Sequence, residues 1–388
     1  MFGEKLRKAR QARELSLRRL AARVPCDPGL LSRLENGKAM PSERVAARLD
    51  QLLGVHGELI GAAALAQTAI LDSDPTATTE LLQRIQASDT SPATLESLQT
   101  AVVELCCAYS SSPALALRTE AHGWLKRVAS MLRKPVGLTA HRELMVSAGW
   151  LALLTGCLEF DLGMSASAQA TRRTAEQLGR EVGHPAISGW ALEMSAWFAL
   201  TGGRYRQAVE AAERGLALAG RSPVVAQLHA QRAKSLARLG DVEGVRQALE
   251  SAQRHVDSAP IPDRPDNHFE VDPAKLELYA TDAYRMVGAD ALAERHARAV
   301  IEASTLPGGT LRQPMRVSEA ELTLSAVSAR RGDLDGALTH GLAGLTPTRR
   351  SLPELLLVAG EVQAELNGRY PDEPITRHFR DAIRSLSA

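Results

Sequence analysis

Between residues 156 and 344 of this 388-residue chain, one spacing recurs four times: a glycine, a small residue seven positions before it, and two more at five and twelve positions after it. The sets are Gly156, Gly163, Ala168, Ala175; Ala196, Gly203, Ala208, Gly215; Ala233, Gly240, Val245, Ala252; and Ser325, Gly332, Ala337, Gly344. The glycine marks a tight turn, and the small side chains on either side let two antiparallel helices approach closely across it. A hairpin of this kind cannot bury its apolar face alone, so the units must stack on one another. Composition agrees. Apolar residues make up 45% of the chain but aromatics only 4%, so Ala, Leu and Val carry the apolar mass and no sustained apolar/polar alternation points to strands. The expected fold class is all-α.

The first three turn glycines lie 40 and 37 residues apart. That spacing resembles the tetratricopeptide repeat, near its ~34-residue period, although the usual Trp and Tyr positions are mostly empty. The 92-residue step from Gly240 to Gly332 leaves room for another, degenerate pair around Gly288. The resemblance implies a tetratricopeptide-like α-solenoid with a concave groove over residues 93–388.

Charge divides the chain differently. Residues 1–55 carry twelve Lys and Arg against six Asp and Glu, a net +6, while the remainder carries 34 bases and 39 acids, a net −5. The near-neutral total conceals a basic head, the footprint expected of a nucleic-acid-binding module. The charged stretch Met1 to Arg10 has no apolar run behind it and does not read as a signal peptide. The most apolar stretch, Leu144 to Leu158, is shorter than the ~20 residues that span a bilayer, so a cytoplasmic protein without membrane contact is expected. Cys26, Cys106, Cys107 and Cys157 lack metal or disulfide spacing and read as small buried residues, and no metal or other cofactor is called for. Phosphate-cradle, metallohydrolase and nucleophile-elbow motifs are also lacking, so an enzyme is not expected.

In the head, Glu4 to Arg13 reads as a first helix. Ser16 caps a second, Leu17 to Val24, which Pro25 ends. Asp27-Pro28 starts a third that stops at Asn36-Gly37, and Pro41-Ser42 opens a fourth. Two short helices joined by a tight turn make a helix-turn-helix. The segments Leu15-Ser16, Leu20-Ala21, Leu31-Ser32-Arg33-Leu34-Glu35-Asn36-Gly37 and Pro41-Ser42 resemble the XRE family of repressors, the lambda-repressor and Cro type.

That resemblance, over about 55 residues, implies a DNA-binding domain at 1–56. It places Arg33 where its guanidinium faces a guanine edge, Ser32 near a base or phosphate, and Leu30 near a thymine methyl. Asn36, Lys38, Arg18 and Arg19 then meet phosphates. Pro28 and Gly29 occupy base-reading positions without a side chain that can hydrogen-bond, Leu17 stands where Gln often holds phosphate, and Pro25 replaces the usual turn glycine. Base readout is therefore expected to be thin, with DNA shape contributing.

Residues 57–92 read as a connecting helix, Leu59 to Leu71, and a linker broken at Asp72-Ser73-Asp74-Pro75 and again over Ala87 to Pro92. Within the solenoid, Trp190, Glu193 and Trp197 share one helix face, as core or as groove lining. The proline-rich stretch Ser258 to Pro273, which holds His268 and Phe269, interrupts the helical rhythm, and Arg312 and Arg316 follow near a second loop. Together these seven residues are candidates for a ligand site. A basic head on a helical-repeat body resembles actinobacterial two-part regulators and, more distantly, the RRNPP peptide-sensing group. The resemblance implies a homodimeric, sequence-specific transcriptional regulator on double-stranded DNA carrying an inverted-repeat operator. Its solenoid would dimerise and receive a peptide or small-molecule effector. The competing expectation is a protein-interaction adaptor whose solenoid docks a partner protein.

Overall fold

A computed structural model describes residues 2–24, 26–71, 90–260 and 262–386. Pro25, Asp72, Asp74 and the break at Ala87 lie outside the described residues. The chain falls into two compact units, Met1–Ala87 and Ser88–Ala388.

The first unit holds α1 (Phe2–Ala12), α2 (Leu17–Ala21), α3 (Pro28–Glu35), α4 (Glu43–Leu53) and α5 (Glu58–Leu71). Three sequence-legible caps set its helix starts. Ser16 accepts from Arg19 N, Asp27 from Leu30 N and Ser42 from Val45 N, each satisfying an amide that has no partner within its own helix. Gly37, at φ +69°, takes the left-handed conformation that follows α3. The expected second helix ends earlier, at Ala21, and Val24 reaches the core from a turn instead. Leu6, Leu20, Leu31, Leu34, Leu49 and Leu59 are fully buried and form one core. At roughly 1.5–3 kcal/mol for each buried leucine, this core holds the small unit together.

Two contacts in this unit have no local sequence signature. A Cβ on Gly3 would lie 2.4 Å from the Leu34 carbonyl oxygen, so α1 crosses α3 with backbone against backbone. Buried Asp50 accepts from Gly57 N at 2.7 Å and Leu59 N at 2.9 Å, so a carboxylate on α4 caps α5. With Leu59 and Ala63 in the core, α5 packs on α1 and α4.

The second unit begins with α6 (Pro92–Ala108) and α7 (Ala114–Met131). Six hairpins follow: α8 (Leu138–Asp161) with α9 (Ser165–Glu181), α10 (Pro185–Thr201) with α11 (Tyr205–Leu218), and α12 (Val224–Arg238) with α13 (Val242–Ser258). The last three are α14 (Pro273–Met286) with α15 (Asp290–Ser304), α16 (Pro314–Arg330) with α17 (Leu334–Leu345), and α18 (Leu352–Arg369) with α19 (Pro374–Leu386). Gly163, Gly203, Gly240 and Gly332 turn their hairpins at φ between +72° and +82°. L-residues with a Cβ avoid that range, which is why glycine recurs there. Gly288 turns the degenerate pair in the same way, at φ +75°, with Thr281, Ala293 and Val300 buried where the repeat demands small or branched residues.

Helices α8, α10, α12, α14, α16 and α18 pack successively against one another as an inner layer, and their partners lie outside. The inner layer curls until α18 touches α8 and α10. Arg349 closes that contact, bonding Asp161 at 2.9 Å and the Tyr109 carbonyl at 2.9 Å. Deeper, the Arg238 guanidinium holds both Asp282 and Glu361, and Arg285 joins the same carboxylates, which ties α12, α14 and α18 together.

The apolar stretch at Leu144–Leu158 lies in a longer helix than the sequence suggested, α8. By length and composition α8 is sufficient to cross a membrane, and 78% of its apolar window is buried inside the second unit. Cys106, Cys107 and Cys157 are buried, and burial pushes the Cys107 thiol up to about 11, away from thiolate chemistry.

Histidine burial gives this unit a pH dependence. Burial, with Arg232, His255 and Arg254 nearby, holds His229 down to about 4. An unfolded histidine near 6.5 binds a proton that the folded one refuses, so folded stability is lost as pH falls from about 6.5 towards 4. The melting temperature of wild type is expected to drop over that window. In His229→Gln the drop should be shallower, and identical slopes in the two proteins would contradict the assignment.

Candidate nucleic-acid interface and body cavity

The first unit sorts its basic residues into two groups. Arg10 is committed inward: its Nε and Nη2 bond the buried Glu35 carboxylate at 2.6 and 3.0 Å. Arg7 bonds Asn36 Oδ1 at 2.6 Å and lies 3.5 Å from Glu35. These links clamp α1 to the C-terminal end of α3. By contrast Arg18, Arg19, Arg33 and Lys38 are exposed, and none makes an ion pair or side-chain hydrogen bond among the described residues. Arg33 therefore avoids the internal acid pair that would have removed it from recognition. Arg44, at the N-terminal end of α4, is equally exposed and is unpaired among the described residues; sequence reasoning counted its charge and gave it no role.

The remaining predicted positions are more constrained. Pro28 and Gly29 open α3, where a Cβ on Gly29 would lie 2.6 Å from Asp27 Oδ2, inside the cap. Leu30 is half-buried and packs against the core, which leaves only part of its side chain for any other surface. Ser32 is half-buried, and its carbonyl accepts from the Asn36 amide at 2.8 Å. Asn36 thus has both ends of its amide engaged within the unit.

Residues 1–63 match the helix-turn-helix domain family. The helix-turn-helix domain therefore includes the first turn and a half of α5 and supports a DNA-binding regulatory role in general. No curated protein and no solved structure matches the chain.

The second unit contains a cavity of about 110 Å³ that is partly open to solvent. Helix α10 supplies Glu193 and Trp197, and α12 supplies Gln227, Gln231 and Lys234. Lys275 and Tyr279 come from α14, Arg316 and Glu319 from α16, and Glu354 from α18, while the proline-rich loop closes one side with Asp266, Asn267 and His268. Of the seven predicted ligand residues, Glu193, Trp197, His268 and Arg316 meet here. Trp190 and Phe269 do not line it: both are buried behind it, with ring centroids 5.3 Å apart. Arg312 is exposed elsewhere and bonds the Ala303 carbonyl at 3.4 Å.

Charge in this cavity is arranged in layers. Lys275 donates to the His268 carbonyl at 2.6 Å and the Glu270 carbonyl at 3.1 Å and sits 4.9 Å over the Trp190 ring. Burial, reinforced by Arg316, lowers its ammonium to about 8. Arg316 is held by Asp272, itself the cap of α14. Burial drives His268 well below its ordinary range and keeps it neutral, and its amide bonds the Cys106 carbonyl at 3.1 Å. Lys234 bonds Glu354 and lies 3.8 Å from Glu319. Trp197 Nε1 also donates to Glu354, at 2.7 Å.

The lining residues that sequence reasoning missed form stripes at helical spacing: Gln227, Gln231 and Lys234 on α12, and Lys275 and Tyr279 on α14, a row that Asp282 continues outside the lining. A polar i, i+4, i+7 row on a helix buried by its neighbours on both sides was the available signal. Among the described residues, no group of three or more metal-ligating side chains gathers.

Proposed function

We propose that the chain is a cytoplasmic XRE-type transcriptional regulator that binds an inverted-repeat operator as a homodimer and senses a small molecule in its helical-repeat unit. The observation that carries this is the division of the head's cations. Arg7 and Arg10 are used to fix α3, whereas Arg33, Lys38, Arg18 and Arg19 remain exposed and, among the described residues, unpaired at and beside it. Exposed cations repel one another without a partner, and a polyanion satisfies them all. In this reading Arg33 reaches a base edge and the others meet phosphates. Asn36, with its amide engaged, contributes position more than contact. The cavity, at about 110 Å³, suits a compact ligand better than a peptide. One head covers too little surface for selective binding, so two linked heads are needed.

Selection of sites from a random duplex pool by the full-length protein tests this. The expected result is enriched sites with two inverted half-sites about 10 bp apart, or a multiple of that. The logarithm of affinity should also fall linearly with that of salt concentration. A pool that enriches nothing would instead favour an adaptor whose solenoid docks a partner.

A further inference from the structure

We propose that the cavity of the second unit is built for a small organic cation, a protonated amine or guanidine whose N–H groups face Gln227 Oε1, Gln231 Oε1 and the carboxylates of Glu193 and Glu319. Gln227 and Gln231 are 97% and 98% buried, and each donates its amide Nε2 to the same oxygen, Glu193 Oε1, at 2.9 Å. A carboxylate accepts and does not donate, which orients both amides and leaves their carbonyl oxygens facing away from it. Neither carbonyl oxygen has a hydrogen-bond partner among the described residues. A buried acceptor left unpaired costs about 1–3 kcal/mol, so two on adjacent turns of α12 call for a shared donor.

The charges of the wall point the same way. Glu193 makes no ion pair among the described residues, and its second oxygen receives no hydrogen bond. The cations nearby are already committed: Lys234 to Glu354 and, at 3.8 Å, to Glu319, Arg238 and Arg285 to Asp282 and Glu361, Arg316 to Asp272, and Lys275 to two backbone carbonyls. Burial, with Glu354 and Asp282 nearby, pushes the Glu319 carboxyl up to about 8 although Lys234 lies 3.8 Å away, so a further cation beside it would be favourable. Trp197 adds aromatic wall suited to a cation, while the Tyr279 ring already carries the Lys234 ammonium at 5.3 Å. An anion would meet the same acceptors, while the donors of the wall, Lys234, Lys275, Arg316 and Trp197 Nε1, already hold partners of their own, and a neutral apolar molecule would leave both amide oxygens unpaired. At about 10–15 Å³ for each water-sized position, the space fits a molecule of several heavy atoms.

That such a ligand would regulate DNA binding rests on the function proposed above; the ligand class does not. Binding is therefore measured on the full-length protein without DNA, by calorimetry and tryptophan fluorescence. The probes are n-butylammonium, 1,4-butanediammonium and methylguanidinium, with n-butanol and butyrate as neutral and anionic counterparts. At least one cation should bind saturably, about tenfold or more tighter than either counterpart. Glu193→Gln should weaken it at least about tenfold, and Glu319→Gln gives a second test should the first variant lose its fold. Glu243→Gln, on the exposed face of α13, should bind as wild type does. The site would be refuted by no saturable cation binding up to about 10 mM, by equal binding of butanol or butyrate, or by unchanged affinity in the folded cavity variants. A protein that takes the cation yet never binds DNA would keep this site and lose only its regulatory role.

Discussion

Replacing Arg238 with methionine is expected to cost the second unit about 3–5 kcal/mol, the usual penalty for stranding a buried charge. The guanidinium is almost wholly buried and makes five hydrogen bonds: two to Asp282 at 2.6 and 2.9 Å, two to Glu361 at 2.7 and 3.0 Å, and one to the Lys234 carbonyl at 3.1 Å. It thereby joins three inner helices of the curl. Methionine fills much of the volume but leaves Arg285 as the one guanidinium, among the described residues, paired with the two carboxylates. Asp282, held far below the ordinary carboxylate range by Arg238, Lys234 and Arg285, would bear most of the loss. Urea titration followed by far-ultraviolet circular dichroism measures the effect. The double variant Arg238→Met/Asp282→Leu should regain more than half of it, because the remaining Arg285–Glu361 pair balances. A single variant within about 1 kcal/mol of wild type would mean that the network is solvated and not structural.

The second large effect concerns the head. Arg33→Ala is expected to weaken binding to a selected operator by about 1–3 kcal/mol for each guanine lost, hence about 2–6 kcal/mol for a dimer on two half-sites. That corresponds to about 30-fold to about twenty-thousand-fold in affinity. The loss should be specific: affinity for unrelated duplexes should change little by comparison, because the phosphate contacts proposed for Arg18, Arg19 and Lys38 would persist. Lys38→Ala should behave in the opposite manner, weakening all sequences alike and reducing the salt slope by about one per head. Titration by fluorescence anisotropy at several salt concentrations distinguishes these patterns. Parallel losses on operator and random DNA for Arg33→Ala would reduce Arg33 to another phosphate contact.

What could be read without coordinates was whatever is encoded locally. The hairpins announce themselves because a positive φ at Gly163, Gly203 or Gly240 requires glycine and close helices require small residues. The cap residues Ser16, Asp27 and Ser42 act over three positions, so they too are visible. What escaped depends on residues distant in sequence. Nothing near Gly3 indicates that the Leu34 carbonyl will press against it, and Asp50 looks like a surface acid until α5 folds back over it. The cavity is the strongest case. Its walls come from five inner helices and from a loop that bonds back to Cys106, so Glu193 and Trp197 could be suspected but Gln227 and Lys275 had no visible partner. Trp190 and Phe269 look equally suited to a groove; only the packing puts them behind it.

The central claim, that α3 enters the major groove with Arg33 at a guanine edge, is tested most directly by methylation interference on a selected operator. Methyl groups on guanine N7 project into the major groove and on adenine N3 into the minor groove. The account predicts that N7 methylation at one guanine in each half-site blocks wild-type binding, and that Arg33→Ala becomes indifferent to methylation there. Interference confined to adenine N3, or an N7 pattern identical in wild type and Arg33→Ala, would contradict it.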